Sequence, residues 1–307
     1  MSEKVLELIK VNKFYKGELH AVKHASFKVY RGDFFALLGA NGAGKSTLLG
    51  MISSLVNKSS GTIKICGYDI DEKKFEAKKS LGFMTQEINL NMFETPIQTL
   101  INQAGYFGIS RRKVYSYAEQ LLADMFLFDK RNEQIRFLSG GMKRRLMIAR
   151  ALIHQPKILI LDEPTAGVDV EIRKMLWNKL ESLNKKGLSI ILTTHYLEEA
   201  EKMCNRIALI EDGQVSLISK MKNLLRSIDK ETYIFDLKRE TQIFNLDEKL
   251  GKATFSDPLT LQVELNKGVS VSQLFPLFIN YDMEVLSIRS KINKLEKIFI
   301  DISKKNK

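Results

Sequence analysis

The segment Gly39–Thr47, GANGAGKST, constrains this chain more than any other, because it fits the spacing GxxxxGK(S/T). Apolar Phe34–Leu38 reads as the incoming strand, and the apolar periodicity from Thr47 to Leu55 predicts a helix directly after the loop. Successive backbone N–H groups and the positive end of a helix dipole then converge on one anionic site. Gly42 and Gly44 let the backbone curl around a phosphate with no Cβ in the way. Lys45 offers a cation to β- and γ-phosphates, and the Ser46 hydroxyl is placed to coordinate Mg²⁺. Gly39, Ala40, Asn41, Ala43 and Thr47 complete the cradle.

From Val5 to about Ser219 short apolar runs alternate with amphipathic, Gly-punctuated stretches, which predicts an α/β fold. Phe34–Leu38, Ile158–Leu161, Ser189–Thr193 and Arg206–Ile210 are near-continuous apolar runs, as expected of strands covered on both faces. Between Gln86 and Ser139 the period becomes helical, most clearly in Val114–Phe126, so a helical insertion is expected there. After Ser219 the pattern changes to strand-like Thr232–Leu237 and Leu259–Leu265, then helix-like Val271–Tyr281. Strand-like Glu284–Ile288 and helix-like Asn293–Ser303 follow. That predicts a separate small α+β domain, with a boundary between Lys220 and Lys230.

A length of 307 residues with 44% hydrophobic and 27% charged residues excludes long disorder and allows two domains. The longest uncharged stretch, Thr95–Ser110, has 16 residues and is interrupted by Pro96, Gln98, Asn102 and Gln103, so no bilayer-spanning helix is expected. The first residues mix charge throughout and lack the apolar core of a secretory signal, which predicts a cytoplasmic chain. Cys66 and Cys204 form no CxxC pair, so neither a disulfide framework nor a zinc site is suggested. The net charge of +12 raises nucleic acid or an anionic membrane as partners, but the cations are scattered and no aromatics interleave with them.

Two further segments narrow the class. Lys157–Pro164, KILILDEP, is an apolar strand ending in two carboxylates, the pattern of a Walker B segment. Strand alternation is expected to send them different ways, Asp162 towards Mg²⁺ and Glu163 towards the attacking water. Leu138–Met142, LSGGM, is predicted to open the helix Lys143–Leu152 and so to offer a second set of free N–H groups to phosphate.

With these three segments in this order the chain resembles ABC-type ATPase subunits, and LSGGM matches that family's signature. The resemblance implies a RecA-like P-loop NTPase core over residues 1–219, with a helical subdomain at about 87–155 and an accessory domain at 220–307. It implies that Tyr15, 24 positions before Gly39, stacks on adenine, with Phe14 as the rival. Gln86, after Leu81–Met84, matches the Q-loop, which links Mg²⁺ and water to the transporter contact. Ala166–Asp169, AGVD, matches the D-loop, with Val168 where Leu is commoner. His195 matches the switch histidine at the γ-phosphate, which leaves His20, His24 and His154 as surface or packing residues.

The same resemblance implies ATP and Mg²⁺ as cofactors and a head-to-tail homodimer. Lys45, Ser46, Asp162 and Glu163 of one chain would enclose ATP with Ser139, Gly140 and Gly141 of the other, the D-loop Asp169 lying nearby. LSGGMKRRLMIARAL and TTHYLEEAE are similar to ABC-2 type exporter subunits, in particular the bacterial YadG type, and the likeness extends to NKLEKIF at Asn293–Phe299. That implies an integral-membrane permease as partner, reached through a helical subdomain carrying Arg111, Arg112 and Lys113, and a place on the cytoplasmic face of the membrane. An importer ATPase with a regulatory C-terminal domain is the alternative. A nucleic-acid ATPase is disfavoured by the single motif set and the 93 positions between Ser46 and Ser139, so no nucleic-acid partner is expected.

Overall fold

The computed structural model describes residues 3–16, 19–226, 231–241, 244–291 and 295–298. The contacts fall into two compact units, Met1–Met221 and Lys222–Lys307. In the first, the elements run β1 (Lys4–Phe14), β2 (His20–Tyr30), β3 (Phe34–Leu38), α1 (Lys45–Ile52), β4 (Ser60–Ile65), β5 (Tyr68–Asp69), α2 (Lys74–Lys79) and β6 (Leu81–Met84). They continue α3 (Pro96–Tyr106), α4 (Arg111–Asp124), α5 (Gly140–Leu152), β7 (Ile158–Asp162), α6 (Val170–Lys185), β8 (Ser189–Thr193), α7 (Leu197–Met203), β9 (Arg206–Glu211) and β10 (Gln214–Lys220). The helix α8 (Met221–Arg226) follows.

The central sheet has the order β10-β9-β3-β8-β7-β6, and only the β9–β10 pairing in it is antiparallel. Strands β3, β7 and β8 are buried at every residue, as a sheet covered on both faces requires. Parallel pairing brings the C-terminal ends of β6, β3, β7, β8 and β9 to one edge, where open α/β sheets bind ligands. A second, antiparallel sheet, β2-β1-β4-β5, faces the first across a shared core. Leu48, Leu49, Met51 and Ile52 of α1 lie in that core with Leu6, Leu8, Phe27 and Ile63 of one sheet and Phe35, Leu37 and Ile160 of the other. Each such side chain contributes about 1.5–3 kcal/mol on burial, so the helix behind the phosphate loop is held from both sides.

Helices α3, α4 and α5 pack on one another between β6 and β7. Thr95 starts α3 with a full capping box, accepting from the Gln98 N–H while the Gln98 side chain accepts from the Thr95 N–H. Two boundaries differ from the sequence reading: α4 begins at Arg111, ahead of Val114, and α5 begins at Gly140, because Ser139 caps it by accepting from Met142 N–H.

The second unit holds β11 (Glu231–Leu237), β12 (Gly251–Asp257), β13 (Thr260–Leu265), α9 (Phe275–Asn280) and β14 (Val285–Ser290). Its antiparallel sheet, β12-β13-β11-β14, buries Phe235, Leu237, Leu261, Val263 and Leu265 against Leu274 and Phe278. The stretch read as one helix, Val271–Tyr281, is a 3-10 turn over Val271–Leu274 followed by α9; Pro276, in the first turn of α9, lacks the N–H that a helix continued from upstream would use. Strand β12 escaped the sequence reading. Of the Asn293–Ser303 helix expected from sequence, only Leu295–Ile298 lies within the described residues, where Leu295 and Ile298 are buried.

Candidate functional site

The loop after β3 makes a left-handed curl. Gly42 and Gly44 sit at φ +80° and +101°, and a Cβ on Gly44 would fall 2.5 Å from the Ala21 carbonyl oxygen. Lys45 opens α1 and donates from Nζ to the carbonyls of Gly39 at 2.8 Å and Ala40 at 2.9 Å. Its ammonium is thus parked on the loop it serves, and burial lowers its pKa against the raising influence of Glu163 and Asp162. The Ala43 carbonyl accepts from Gly213 N–H at 3.1 Å, tying the loop to the turn after β9.

Asp162 closes β7, is 5% exposed, and has its carboxyl pKa raised by burial; hydrogen bonds from Thr193 and Ser46 oppose that rise. A Ser46 hydroxyl bonded to a buried carboxylate brings two hard oxygen donors together, a set that suits Mg²⁺, which takes one or two carboxylates plus substrate phosphates and water. Among the described residues no cluster of three or more His, Cys, Asp or Glu offers an all-protein metal cage. Glu163 does diverge from Asp162, but not through strand alternation. β7 ends at Asp162, and Glu163 turns away at φ +51°, pinned by its N–H to the Thr193 side chain and carbonyl at 3.1 Å each.

Around the Glu163 carboxylate the predicted residues converge. His195 Nδ1 lies 3.1 Å from Oε2, and Gln86 Nε2 donates to the same oxygen at 3.5 Å. Arg144, on α5, donates to the backbone carbonyls of Glu163 at 3.1 Å and Gln86 at 3.2 Å and so joins the strand ends of β6 and β7. Neither Thr193 nor Arg144 was singled out from the sequence; each acts through a partner far along the chain.

A cavity of about 720 Å³ runs from this cluster past the phosphate loop to the start of β2. Asn41, Gly42, Gly44–Thr47, Gln86, Asp162 and Glu163 line it, as does Tyr15. Phe14, the rival aromatic, stacks on His20 at 3.9 Å and does not line the cavity. His20, expected as a surface or packing residue, stacks on Phe14 and also lines the cavity, with Leu19, Lys23, Asp212 and Gly213, because β2 passes alongside the loop. His154 is a packing residue, stacked on Phe107 and bonded to the Leu81 carbonyl, and burial lowers its pKa.

Ser139, Gly140, Gly141 and Asp169 do not line this cavity. Ser139, Gly140 and Asp169 are exposed, and the Gly141 Cα faces the Gly167 carbonyl and Val168, so the LSGGM and AGVD segments adjoin each other.

Known proteins match this arrangement. The ABC transporter family pattern covers residues 22–166. Nod factor export ATP-binding protein I of Cupriavidus pinatubonensis is 40% identical over 73% of this chain and 68% of its own length. Linearmycin resistance ATP-binding protein LnrL of Bacillus subtilis is 32% identical over 97% of this chain and 98% of its own. This chain belongs to the ABC transporter ATP-binding subunits. It has the P-loop NTPase fold of that family and is an ATPase. Among solved structures it is similar to the dimeric post-hydrolysis state of the ATP-binding cassette MJ0796 bound to ADP and Pi, with 26% identity and a TM-score of 0.65, covering 70% of this chain and 98% of that one. No helix among the described residues of this ABC subunit is long and apolar enough to cross a membrane.

Proposed function

We propose that this ABC ATPase subunit drives an exporter by closing on ATP as a head-to-tail homodimer beneath a separate ABC-2 type permease on the cytoplasmic face of the membrane. One observation carries the reading: Lys45, Ser46, Asp162, Glu163, Gln86 and Tyr15 share one cavity, while the second phosphate-binding helix start lies outside it, with Ser139 and Gly140 exposed. A site with its signature half turned away needs a second copy to complete it. The names of the Nod factor export and linearmycin resistance relatives support export, and within the exporters the wording of LSGGMKRRLMIARAL and TTHYLEEAE is our ground for placing the chain with the YadG type.

In this reading Tyr15 stacks on the adenine, and Lys45 exchanges its loop carbonyls for the β- and γ-phosphate oxygens. Ser46 and Asp162 would hold Mg²⁺, with Gln86 at its edge; the ion supplies charge neutralisation on the phosphates. Glu163 orients the attacking water and takes its proton as the water oxygen bonds to the γ-phosphorus and the bond to the ADP oxygen breaks. His195 donates from Nδ1 to that carboxylate and, with its second ring nitrogen also protonated, from Nε2 to the γ-phosphate. Ser139, Gly140, Gly141 and Asp169 of the partner subunit close over the phosphates.

Membrane attachment is then borrowed from the permease through the helical subdomain, whose Phe93, Tyr106, Phe137 and Arg111–Lys113 are exposed. The subunit should sediment with membranes from cells that contain the permease and be lost from membranes of cells that lack it. Equal recovery from both would contradict the assignment and point to direct lipid binding.

A further inference from the structure

His20 reaches the nucleotide cavity with its protonation pattern already set. Asn12, 4% exposed, has an amide whose orientation its neighbours fix. Its Oδ1 accepts from the His24 backbone N–H at 2.9 Å, a group that can only donate, and its Nδ2 donates to the Lys10 carbonyl at 2.9 Å, a group that can only accept. His20 Nε2 lies 3.1 Å from that same Oδ1, so Nε2 carries the proton of the neutral ring. Nδ1 is left as a bare acceptor, and no donor among the described residues reaches it. Phe14 covers one face of the ring at 3.9 Å and 23°, which holds its plane. Nδ1 is therefore the polar atom that His20 has to offer the cavity it shares with Tyr15.

We propose that His20 selects the purine at its C6 substituent, Nδ1 accepting a hydrogen bond from the exocyclic amine of adenine. Guanine and hypoxanthine present an oxygen there, so acceptor meets acceptor and the nucleotide is disfavoured. The inference rests on the reading of Tyr15 as the base-stacking residue. Stacking accepts any purine; the acceptor on His20 adds the choice between them.

The test compares ATP with inosine triphosphate, whose base has an oxygen at C6 and adds no other exocyclic group. Equilibrium binding is measured on the full chain without divalent cations, so that hydrolysis does not intervene. The unmodified protein should bind ATP about five- to tenfold more tightly than inosine triphosphate. His20→Phe keeps a ring on Phe14 and loses the acceptor, so the ratio should fall to near one. Tyr15→Ala should weaken both nucleotides together. A ratio near one in the unmodified protein, which requires no variant to fold, would overturn the proposal, as would an undiminished ratio in His20→Phe. If either occurs while Tyr15→Ala still weakens both nucleotides, the role of His20 fails and that of Tyr15 stands. If Tyr15→Ala leaves both affinities unchanged, the base lies elsewhere and both assignments fall.

Discussion

Glu199 is fully buried on α7 and accepts from the Thr165 hydroxyl at 2.5 Å and the Thr194 hydroxyl at 2.9 Å, with Arg173 Nε 3.9 Å away. Thr165 lies two residues after Glu163, Thr194 precedes His195, and Arg173 donates to the Val168 carbonyl, so one carboxyl ties three segments of the candidate site together. Glu199→Ala strands the two hydroxyls that donate to it and should cost about 2–4 kcal/mol in urea unfolding. Burial raises the Glu199 pKa, so the folded state holds a proton that the unfolded chain has released. Its contribution is therefore full below the ordinary carboxyl value and is lost as pH rises through the raised one. Relative to Glu199→Gln, the unmodified protein should lose stability across that window, and parallel stability profiles of the two would contradict the assignment. The sequence names Glu199 only as part of TTHYLEEAE; its partner Thr165 lies 34 residues away, a separation that only the fold closes. Lys45, Asp162, Glu163 and His195 were legible because each sits in or beside a short contiguous motif at a strand end. His20 was not, because what brings it to the cavity is the pairing of β2 with β1.

At the scale of elements, the parallel strands were legible because both faces are covered and their runs are unbroken. The antiparallel sheet was harder to read for a physical reason: β1 and β2 pair with repeated register shifts, and Lys10 and His24 sit at positive φ. Each irregularity resets the alternation, so along β1 buried and exposed residues no longer follow a period of two. Strand β12 hides differently, at a sheet edge with its only large apolar residue, Phe255, half-buried. The β2-β1-β4-β5 sheet matters to the site because Ala21 of β2 abuts the phosphate loop. Gly44→Ala would place a side chain at φ +101° and 2.5 Å from the Ala21 oxygen. The left-handed backbone alone costs about 1–2 kcal/mol, so the melting temperature should drop by several degrees and ATP affinity should fall with it. A Gly44→Ala protein that melted and bound ATP as before would contradict the left-handed conformation and close approach at Gly44.

In the proposed dimer each chain carries half of each ATP site, and Glu163 separates closing from hydrolysis. Glu163→Gln keeps size and hydrogen-bonding capacity but loses charge and basicity, so ATP should still bind while hydrolysis falls by about 10²–10⁴-fold. Copies closed on unspent ATP should then stay together. Lys45→Ala removes the cation at the phosphates, weakens ATP binding itself, and should leave the chains apart when no permease is present. Size-exclusion chromatography of the Glu163→Gln protein in Mg-ATP, against the same sample in ADP, is the direct measurement: a dimer in ATP and a monomer in ADP are expected. A Glu163→Gln protein that binds ATP yet stays monomeric, or that hydrolyses it at the unmodified rate, would contradict the shared site and the role of Glu163 together.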